Sequence, residues 1–309
     1  MSSRIEHICV CICTFKRPEL LIRLLKGLEK QITENTFTFS VVIVDNDKLR
    51  SAEKTVKEIE KSALFPITYL CEPEQNIAIA RNMALENSDG QFIAFIDDDE
   101  YPVPRWLWYL HSACVEHGVD GALGPVLPHF GESAPKWIRE GNVFERRAFR
   151  TGTMVHWDYM RSGNVMFGKH VFENPTHRFR REYGRSGGED GDFFRRVCEN
   201  GVRFVWSQDA AVYEAVTPER CLVSYHLRRA IRIGGLNGEF ARRVLFAGAK
   251  RLPKNAALLL GSLLAMPVSL FLKKHIRVRV LVKFVYEAGW TMGLLGHVFF
   301  RMRDEGNTD

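Results

Sequence analysis

Several features that mark common protein classes are missing from this chain of 309 residues. It has only seven cysteines, an odd number that fits a reduced cytosolic compartment better than a disulfide framework. The first residues lack the long apolar run of a secretory signal, so we expect no leader. No Gly-x-Gly-x-x-Gly follows the first predicted strand, which excludes a dinucleotide-binding oxidoreductase. With 26% charged and 46% hydrophobic residues and no low-complexity segment, wholesale disorder is also excluded.

Three of the cysteines, Cys9, Cys11 and Cys13, alternate along the segment ICVCIC. A period of two places all three on one face of a strand. A metal site would use such a cluster, but buried cysteines pack as small apolar side chains, and we prefer this core interpretation.

Charge is distributed unevenly along the chain. Residues 1–219 carry 27 lysines and arginines against 32 acidic residues, whereas residues 220–309 carry 16 against 5. A basic tail on an acidic body indicates contact with an anionic membrane, an anionic acceptor or nucleic acid. Here the positive charges flank long apolar runs, which favours lipid, and we expect no nucleic-acid partner.

Strand and helix patterns alternate through the first 130 residues. This alternation predicts an α/β fold with a mostly parallel sheet and helices on both faces. A less regular section follows, from about 120 to 218, and it contains one further helix and two further strands. The predicted strands are His7–Cys13, Phe39–Val44, Ile67–Cys71, Phe92–Ile96, Val202–Trp206 and Ala211–Ala215, and the predicted helices include Ala52–Lys61, Ile77–Asn87, Pro104–His117 and Glu189–Asn200.

From Pro218 onward the pattern is helical to the end of the chain. Ala256–Leu272 holds 17 residues without a charge, at the lower edge of what spans a membrane. Val280–Phe300 is longer but contains Lys283, Glu287 and His297. If both segments crossed a bilayer, the basic loop between them would be exported, against the positive-inside tendency. We therefore expect a re-entrant or interfacial helical pair rather than two spans.

The segment QFIAFIDDDE, residues 91–100, is the most informative part of the sequence. A predicted buried strand ends in Asp97, Asp98 and Asp99, at the position where open α/β sheets bind ligands. Three adjacent carboxylates repel one another unless a cation or solvent compensates them. Mg²⁺ or Mn²⁺ bound together with a substrate diphosphate would do so, and a solvated acidic turn is the alternative.

Other polar groups follow the predicted strands. The segment Thr14–Pro18 suits a phosphate or nucleobase edge, although a capped helix start has the same composition. Asp45 suits a hydrogen bond from a base imide or a ribose hydroxyl, with a solvated turn as the alternative. Arg81 lies on an otherwise apolar helix, where it needs the aspartates or a phosphate as a partner unless it points to the surface.

Two glycines at 187 and 188 precede Glu189 and Asp190. They predict a mobile loop that closes over a substrate. A carboxylate at that place suits a general base, or it is a favourable charge at a helix N-terminus.

Together these segments resemble glycosyltransferase family 2, the inverting transferases with a Rossmann-like GT-A fold. The resemblance runs from about Ile8 to Arg232 and is nearest to exopolysaccharide-assembly members that extend lipid-linked oligosaccharides. It implies a UDP-sugar donor and Mn²⁺ or Mg²⁺ as cofactor. The segments that carry it are CICTFKRPELLIRLLKGLEKQ, VVIVDND, NIAIARNMAL, FIDDDE and GGEDGDFFRRV.

The resemblance also implies roles for individual residues. Asp190 matches the catalytic base, and Asp97 and Asp99 match the metal-binding DXD element. We assign to substrate binding Thr14, Arg17, Asp45, Arg81, Asp97, Asp98, Gly163, Asn164 and Glu189. Separately, Arg229 and Arg232 lie with Arg228 one turn apart on a predicted helix, where they would either grip a diphosphate or form an exposed basic face.

Two departures from the family pattern stand out. Many relatives place a metal-binding histidine after the base, whereas this chain has Tyr213 and Glu214 there, so either Glu214 or water would complete the metal site. The chain also lacks the Gln-x-x-Arg-Trp element of processive synthases, and we expect no polymer-extruding synthase.

We predict a GT-A catalytic domain over 1–218, with donor binding in 1–118 and acceptor binding in 119–218. A helical region over 219–309 would meet the membrane surface through about 250–303, on the cytoplasmic face of the inner membrane. The predicted reaction moves one sugar from a UDP-sugar to a saccharide linked to polyprenyl diphosphate. The alternatives are a polyprenyl-monophosphate sugar synthase, a nucleotidyltransferase, and an inactive nucleotide-sugar-binding scaffold of an assembly complex.

Overall fold

The protein is described by a computed structural model, in which residues 5–243 and 245–296 are placed. The strands are β1 (Glu6–Thr14), β2 (Phe37–Asp45), β3 (Ile67–Cys71), β4 (Phe92–Ile96), β5 (Glu100–Pro102), β6 (Gly121–Leu123), β7 (Val126–Phe130), β8 (Asn164–Gly168), β9 (Phe204–Trp206) and β10 (Val212–Val216). The α-helices are α1 (Pro18–Leu28), α2 (Glu53–Glu60), α3 (Ile77–Glu86), α4 (Trp106–His117), α5 (Lys136–Glu140), α6 (Lys169–Glu173), α7 (Glu189–Glu199), α8 (Val223–Arg243), α9 (Leu245–Ser269) and α10 (Lys274–Leu294).

The main sheet has seven strands in the order β3-β2-β1-β4-β8-β6-β9. β1 pairs in parallel with β2 and β4, and β2 pairs in parallel with β3, in agreement with the predicted mostly parallel sheet. β8 was not predicted, and it runs antiparallel between β4 and β6. Because β1, β2 and β4 point the same way, their carboxyl ends meet at one edge of the sheet. Thr14, Asp45 and Asp97 lie at that edge.

Helices cover both faces of this sheet, because its central strands are apolar on both sides. On one face Ile8, Val10 and Ile12 of β1 pack in a cluster with side chains of α1 and α4. On the other face Cys9 and Cys11 pack in a cluster with side chains of α3 and α7. The core interpretation of the alternating cysteines is thereby confirmed.

The described residues divide into two compact units, one within Met1–Pro128 and Arg146–Glu214 and the other within His129–Glu145 and Ala215–Asp309. The segment 129–145 belongs to the second unit, which the sequence did not indicate. There Trp137, Ile138 and Phe144 form an apolar cluster with Val278 of α10 and other side chains. The functional boundaries that we drew at 118 and 218 remain predictions.

The helical tail differs from expectation at its basic segment. We expected a loop over 273–279, but α10 begins at Lys274, so most of these basic residues occupy its first turns. Among the residues with assigned structure, one helical segment, Arg251–Ser269, is long and apolar enough to cross a membrane. The end of the predicted membrane-contacting region, 297–303, lies outside the described residues.

Within the second unit, α8 and α10 pack with their backbones in close contact. A Cβ added at Gly234 of α8 would lie 2.2 Å from the carbonyl oxygen of Tyr286 in α10, and one added at Gly238 would lie 2.0 Å from that of Trp290. A Cβ added at Gly293 would lie 2.0 Å from the carbonyl oxygen of Gly235 and 2.9 Å from the amide nitrogen of Glu239. Such distances leave no room for a side chain.

We therefore expect Gly293→Ala to lower the free energy of unfolding by about 1–3 kcal/mol, the usual cost of overpacking. Gly261→Ala is the matched control, since Gly261 lies on α9 with nothing within 4 Å of an added Cβ. The control should gain roughly 0.5–1 kcal/mol from helix propensity. Denaturant unfolding of both purified variants measures the difference, and equal effects would contradict the close packing of α8 and α10.

Candidate functional site

The acidic segment after β4 lies beside the end of β1. The Thr14 hydroxyl donates a hydrogen bond of 2.8 Å to Asp98 Oδ2. Arg17 Nη1 lies 3.2 Å from Asp98 Oδ1 and 3.5 Å from Asp99 Oδ2. Burial raises the pKa of Asp98, although Arg17 and Thr14 act in the opposite direction. Two segments that the sequence assigned to one site are therefore in contact, and the half-exposed Arg17 remains accessible.

A second group of carboxylates continues this acidic surface. In the antiparallel pair of β5 and β10, Glu100 lies directly opposite Glu214, and Arg146 Nη2 is 3.2 Å from Glu214 Oε2. Burial, together with the charges of Asp98, Asp97 and Glu214, raises the pKa of Asp99 to about 7. Burial and neighbouring carboxylates also raise the pKa of Glu100 well above its usual range. The arrangement holds more negative charge than its arginines neutralise.

Mg²⁺ or Mn²⁺ fits the residues at this place. The Asp97 side chain is 47% exposed, and its carboxylate and that of Glu100 border the space beside Gly163. A Cβ at Gly163 would lie 2.7 Å from Glu100 Oε1 and 2.9 Å from Asp97 Oδ2, so a glycine keeps this space open. Among the described residues no three His, Cys, Asp or Glu side chains converge as a closed ligand set. Mg²⁺ commonly uses one or two carboxylates and takes its other ligands from phosphates and water.

Arg81 joins the acidic edge to the start of α7. It lies on α3, whose N-terminus is capped by the side chain of Asn76. Arg81 Nη1 lies 2.8 Å from Glu189 Oε1 and 3.0 Å from Asp190 Oδ1, and Nη2 lies 3.6 Å from Asp97 Oδ1. The side chain is buried, so the alternative of a surface-directed arginine is wrong. These carboxylates raise the pKa of Arg81 above its ordinary value despite burial, which acts to lower it.

Asp190 stands in the first turn of α7, after two glycines in the left-handed region of backbone conformation, Gly187 with φ 84° and Gly188 with φ 95°. Ser162 Oγ donates a hydrogen bond of 2.8 Å to Asp190 Oδ1. Burial alone would raise the pKa of Asp190, but Arg81 and Ser162 together hold it below the ordinary value. The carboxylate is therefore ionised at neutral pH, as a general base must be.

Asp45 is fully buried, so the alternative of a solvated turn residue is wrong. Its carboxylate accepts hydrogen bonds from the backbone amide of Ala52 at 2.7 Å, from that of Asp47 at 3.1 Å and from the Tyr69 hydroxyl at 2.9 Å. These contacts hold the loop after β2 against β3. Its nucleotide contact remains a prediction.

Asn164 is also engaged inside the protein. Its Oδ1 accepts a hydrogen bond of 2.8 Å from Trp106 Nε1, and its Nδ2 donates to the carbonyl oxygens of Ala210 and Pro125. The side chain thus connects β8 to α4 and to two loops, whereas the neighbouring Gly163 faces the carboxylates. An acceptor contact for these two residues remains a prediction.

Arg229 and Arg232 lie on α8 in the second unit, and their diphosphate contact also remains a prediction. The structure adds three residues to the first unit's site that were not predicted from the sequence: Ser162, Glu100 and Arg146. Glu100 had a usable signal, since it directly follows the three aspartates. Ser162 and Arg146 had none, because only the folding of distant segments brings them to the carboxylates.

Comparison with known proteins supports one family. The family model described as Glycosyl transferase family 2 matches residues 9–177. Succinoglycan biosynthesis protein ExoM of Rhizobium meliloti (strain 1021) is 32% identical over 312 residues, covering 96% of this chain and 95% of that protein.

Two solved structures share the fold. The mannosyltransferase PcManGT from Pyrobaculum calidifontis, in complex with GDP-Man and Mn²⁺, aligns with a TM-score of 0.59 at 17% identity, covering 95% of this chain and 88% of that one. S. aureus TarS 1-349, in complex with UDP-GlcNAc, aligns with a TM-score of 0.54 at 18% identity, covering 94% of this chain and 93% of that one. At such identities the likeness concerns the fold alone.

Proposed function

The chain belongs to glycosyl transferase family 2, and from this premise we propose that it moves one sugar from a UDP-sugar to a saccharide linked to polyprenyl diphosphate. The observation that carries this proposal is the position of Arg81, which contacts Asp97 at the acidic edge and Asp190 at the start of α7. A single buried side chain thus joins the group that we assign to the donor with the group that we assign to the base.

The donor would bind along the edge formed by β1, β2 and β4. Thr14 and Arg17 hold Asp98, so this carboxylate organises the edge, while Asp97 and Asp99 would hold Mg²⁺ or Mn²⁺. The cation, when bound, supplies positive charge against the diphosphate as it leaves. Asp97 and Asp99 both lie near Glu100, and Asp99 also lies near Glu214, and the repulsion among these groups favours cation binding.

Asp190 would act as the base in a single displacement. Its carboxylate takes the proton of an acceptor hydroxyl, and the hydroxyl oxygen attacks the anomeric carbon. The bond from that carbon to the diphosphate breaks, and the nucleoside diphosphate leaves with the electron pair. Attack from the face opposite the leaving group inverts the configuration.

A function in polysaccharide synthesis is supported by the relative named for succinoglycan biosynthesis. That protein aligns along nearly the whole of both chains, so the similarity includes the helical tail as well as the catalytic unit. We propose accordingly that this chain acts in cell-surface polysaccharide synthesis.

The test is incubation of the purified full-length protein with UDP-glucose, UDP-galactose or UDP-N-acetylglucosamine and a bacterial membrane lipid extract. Mass spectrometry should show a lipid-linked saccharide that gains the mass of one sugar residue, together with release of UDP. A product with a single sugar on polyprenyl phosphate would favour the monophosphate synthase. Release of pyrophosphate would favour a nucleotidyltransferase, and no turnover with any donor would favour the inactive scaffold.

We also propose that α9 places the protein on the cytoplasmic face of the inner membrane, as a peripheral or monotopic enzyme. Exposed apolar side chains line the second half of this helix and the turn that follows, and they include Leu264 at 67% and Phe271 at 91% exposure. Basic residues flank this surface at both ends, as suits an anionic leaflet. Contiguous exposed apolar residues of this kind are typical of a membrane contact.

Charges in this apolar surface should release the protein from membranes. We expect the double variant Leu264→Glu/Phe271→Glu to move from the membrane pellet to the soluble fraction. Leu64→Glu/Val115→Glu is the matched control, because its two side chains, 84% and 60% exposed, lie in the other unit. If both double variants fractionate like the wild type, the α9 surface does not hold the protein at the membrane.

A further inference from the structure

The two oxygens of the Asp190 carboxylate have different surroundings. Ser162 Oγ lies 2.8 Å from Oδ1, and Arg81 Nη1 lies 3.0 Å from the same oxygen. Among the described residues, both side-chain hydrogen bonds to this carboxylate therefore end on Oδ1. Ser162 and Arg81 are buried, whereas the Asp190 side chain retains 18% exposure.

We propose that Ser162 and Arg81 are positioning residues that hold Oδ1 of Asp190 in place, so that Oδ2 is the oxygen that accepts the acceptor's proton. This assignment rests on the proposed glycosyl transfer and specifies which atom of the base reacts. Neither residue takes a proton itself, and both act through the carboxylate.

The physical reason is the rotational freedom of a carboxylate. A terminal carboxyl group turns easily about its last side-chain bond, and it would present either oxygen to the acceptor. Two donors on one oxygen restrict this rotation before the substrate arrives. When the base is already oriented, less of the activation free energy is needed to order the reacting groups. The proton then moves from the acceptor hydroxyl to Oδ2 while the hydroxyl oxygen bonds to the anomeric carbon and the diphosphate departs.

The location of Ser162 supports this function. Ser162 directly precedes Gly163, whose open space faces Asp97 and Glu100, and β8 begins one residue later. The same short segment therefore contacts the base through its serine and borders the proposed donor site through its glycine. Ser162 therefore links the position of Asp190 to the start of β8.

Replacing Ser162 tests this proposal more specifically than replacing Arg81. Arg81 also contacts Glu189 and lies near Asp97, so replacing it disturbs the donor side and leaves a buried carboxylate without its main cation. Among the described residues, the Ser162 hydroxyl donates to Asp190 alone. The backbone hydrogen bond of Ser162 to the same carboxylate survives the substitution. Ser162→Ala removes one oxygen from the site and keeps every charge.

We expect Ser162→Ala to lower kcat for UDP release by about 10–100-fold, the value of a hydrogen bond to a charged group. The KM for the UDP-sugar should stay unchanged, as should the thermal stabilisation by UDP with Mn²⁺. The titration of Asp190, identified by ¹³C NMR as the aspartate signal that Asp190→Asn removes, should move to higher pH because the charged form loses a donor. Ser88→Ala is the control, since Ser88 is a buried serine of the same unit whose hydroxyl donates to the carbonyl oxygen of Leu85.

The outcomes separate the positioning assignment from the glycosyl transfer itself. An unchanged kcat and an unmoved Asp190 titration in folded Ser162→Ala, with Asp190→Asn inactive, would overturn the positioning role and leave the base in place. Full activity of Asp190→Asn would instead overturn the base and the assignment that depends on it. If Ser162→Ala unfolds, the NMR titration of Ser162→Cys takes its place, because a thiol is a much weaker donor.

Discussion

Asparagine in place of Asp190 is expected to lower the rate of sugar transfer by about 10²–10⁴-fold, the usual contribution of a positioned base. The amide has the same shape and accepts the hydrogen bond from Ser162, but it cannot take the acceptor proton. Glu189 still provides Arg81 with a buried anionic partner at 2.8 Å, so the variant should fold. Initial rates of UDP release measure the effect, and stabilisation by UDP with Mn²⁺ should survive.

The control for this variant lies on the same helix. Asp192 is a buried aspartate of α7 whose Oδ2 lies 2.8 Å from Arg196. Asp192→Asn removes a charge from a comparable ion pair but not from the base, so we expect lower stability with turnover per folded molecule within a few-fold of wild type. Similar rates for the two variants would remove Asp190 from the mechanism.

The second large effect is expected from Asp99→Asn, which should abolish metal-dependent binding of the nucleotide. Wild-type protein with UDP and Mn²⁺ at 100 times the dissociation constant should gain about 2.7 kcal/mol of stability. The variant should lose this gain because it lacks one of the carboxylates that we assign to the cation. Thermal unfolding with and without Mn²⁺ measures both, and Asp209→Asn, at an exposed position of the same unit, is the control.

The same residue predicts a pH dependence. The pKa of Asp99 is about 7 in the folded protein, above its ordinary value of 3.8, so the folded state binds this proton more tightly than the unfolded state. Asp99 therefore contributes stability at low pH that is lost as the pH rises through about 7. Measured without a cation, the stability of Asp99→Asn should therefore depend less on pH over this range than the stability of the wild type.

Donor binding with Mn²⁺ should show the opposite trend and weaken below about pH 7, since the cation requires the carboxylate of Asp99. A metal-dependent UDP shift that is equal at pH 6 and pH 8 would contradict this.

The carboxylates of Asp99 and Asp190 should also be distinguishable in the pH dependence of activity. The pKa of Asp190 lies below its ordinary value, so the base stays charged in mild acid. The decrease in rate at acidic pH should then result from protonation of Asp99 rather than of Asp190. Any residual activity of Asp99→Asn at high donor concentration should persist to lower pH than the activity of the wild type.

Much of the catalytic unit could be predicted from the sequence because its strands carry continuous apolar runs. The predicted bounds of β3 and β4, Ile67–Cys71 and Phe92–Ile96, are confirmed to the residue. β8 was missed for a physical reason. Its segment, NVMFG, begins with a polar residue and ends with glycine, so its apolar run is shorter than that of β4, and only the neighbouring β4 and β6 define it as a strand between them. Local pattern does not contain that information.

The sequence by itself determined the chemical groups of this protein and the edge to which they belong. Parallel strands that each end in polar residues must bring those residues together, so Thr14, Arg17 and the three aspartates were placed correctly relative to one another. The sequence also determined the basic, apolar character of the tail, because composition does not depend on folding.

Only the tertiary structure decided which groups pair with which. Arg81 and Asp190 are 109 residues apart, and no spacing rule indicates that they lie 3.0 Å from each other. A buried charge takes its partner from whichever element packs against it, and that element is chosen by the whole fold. For the same reason Asn164 and Asp45 hold the protein's own backbone, and Ser162 reaches the base.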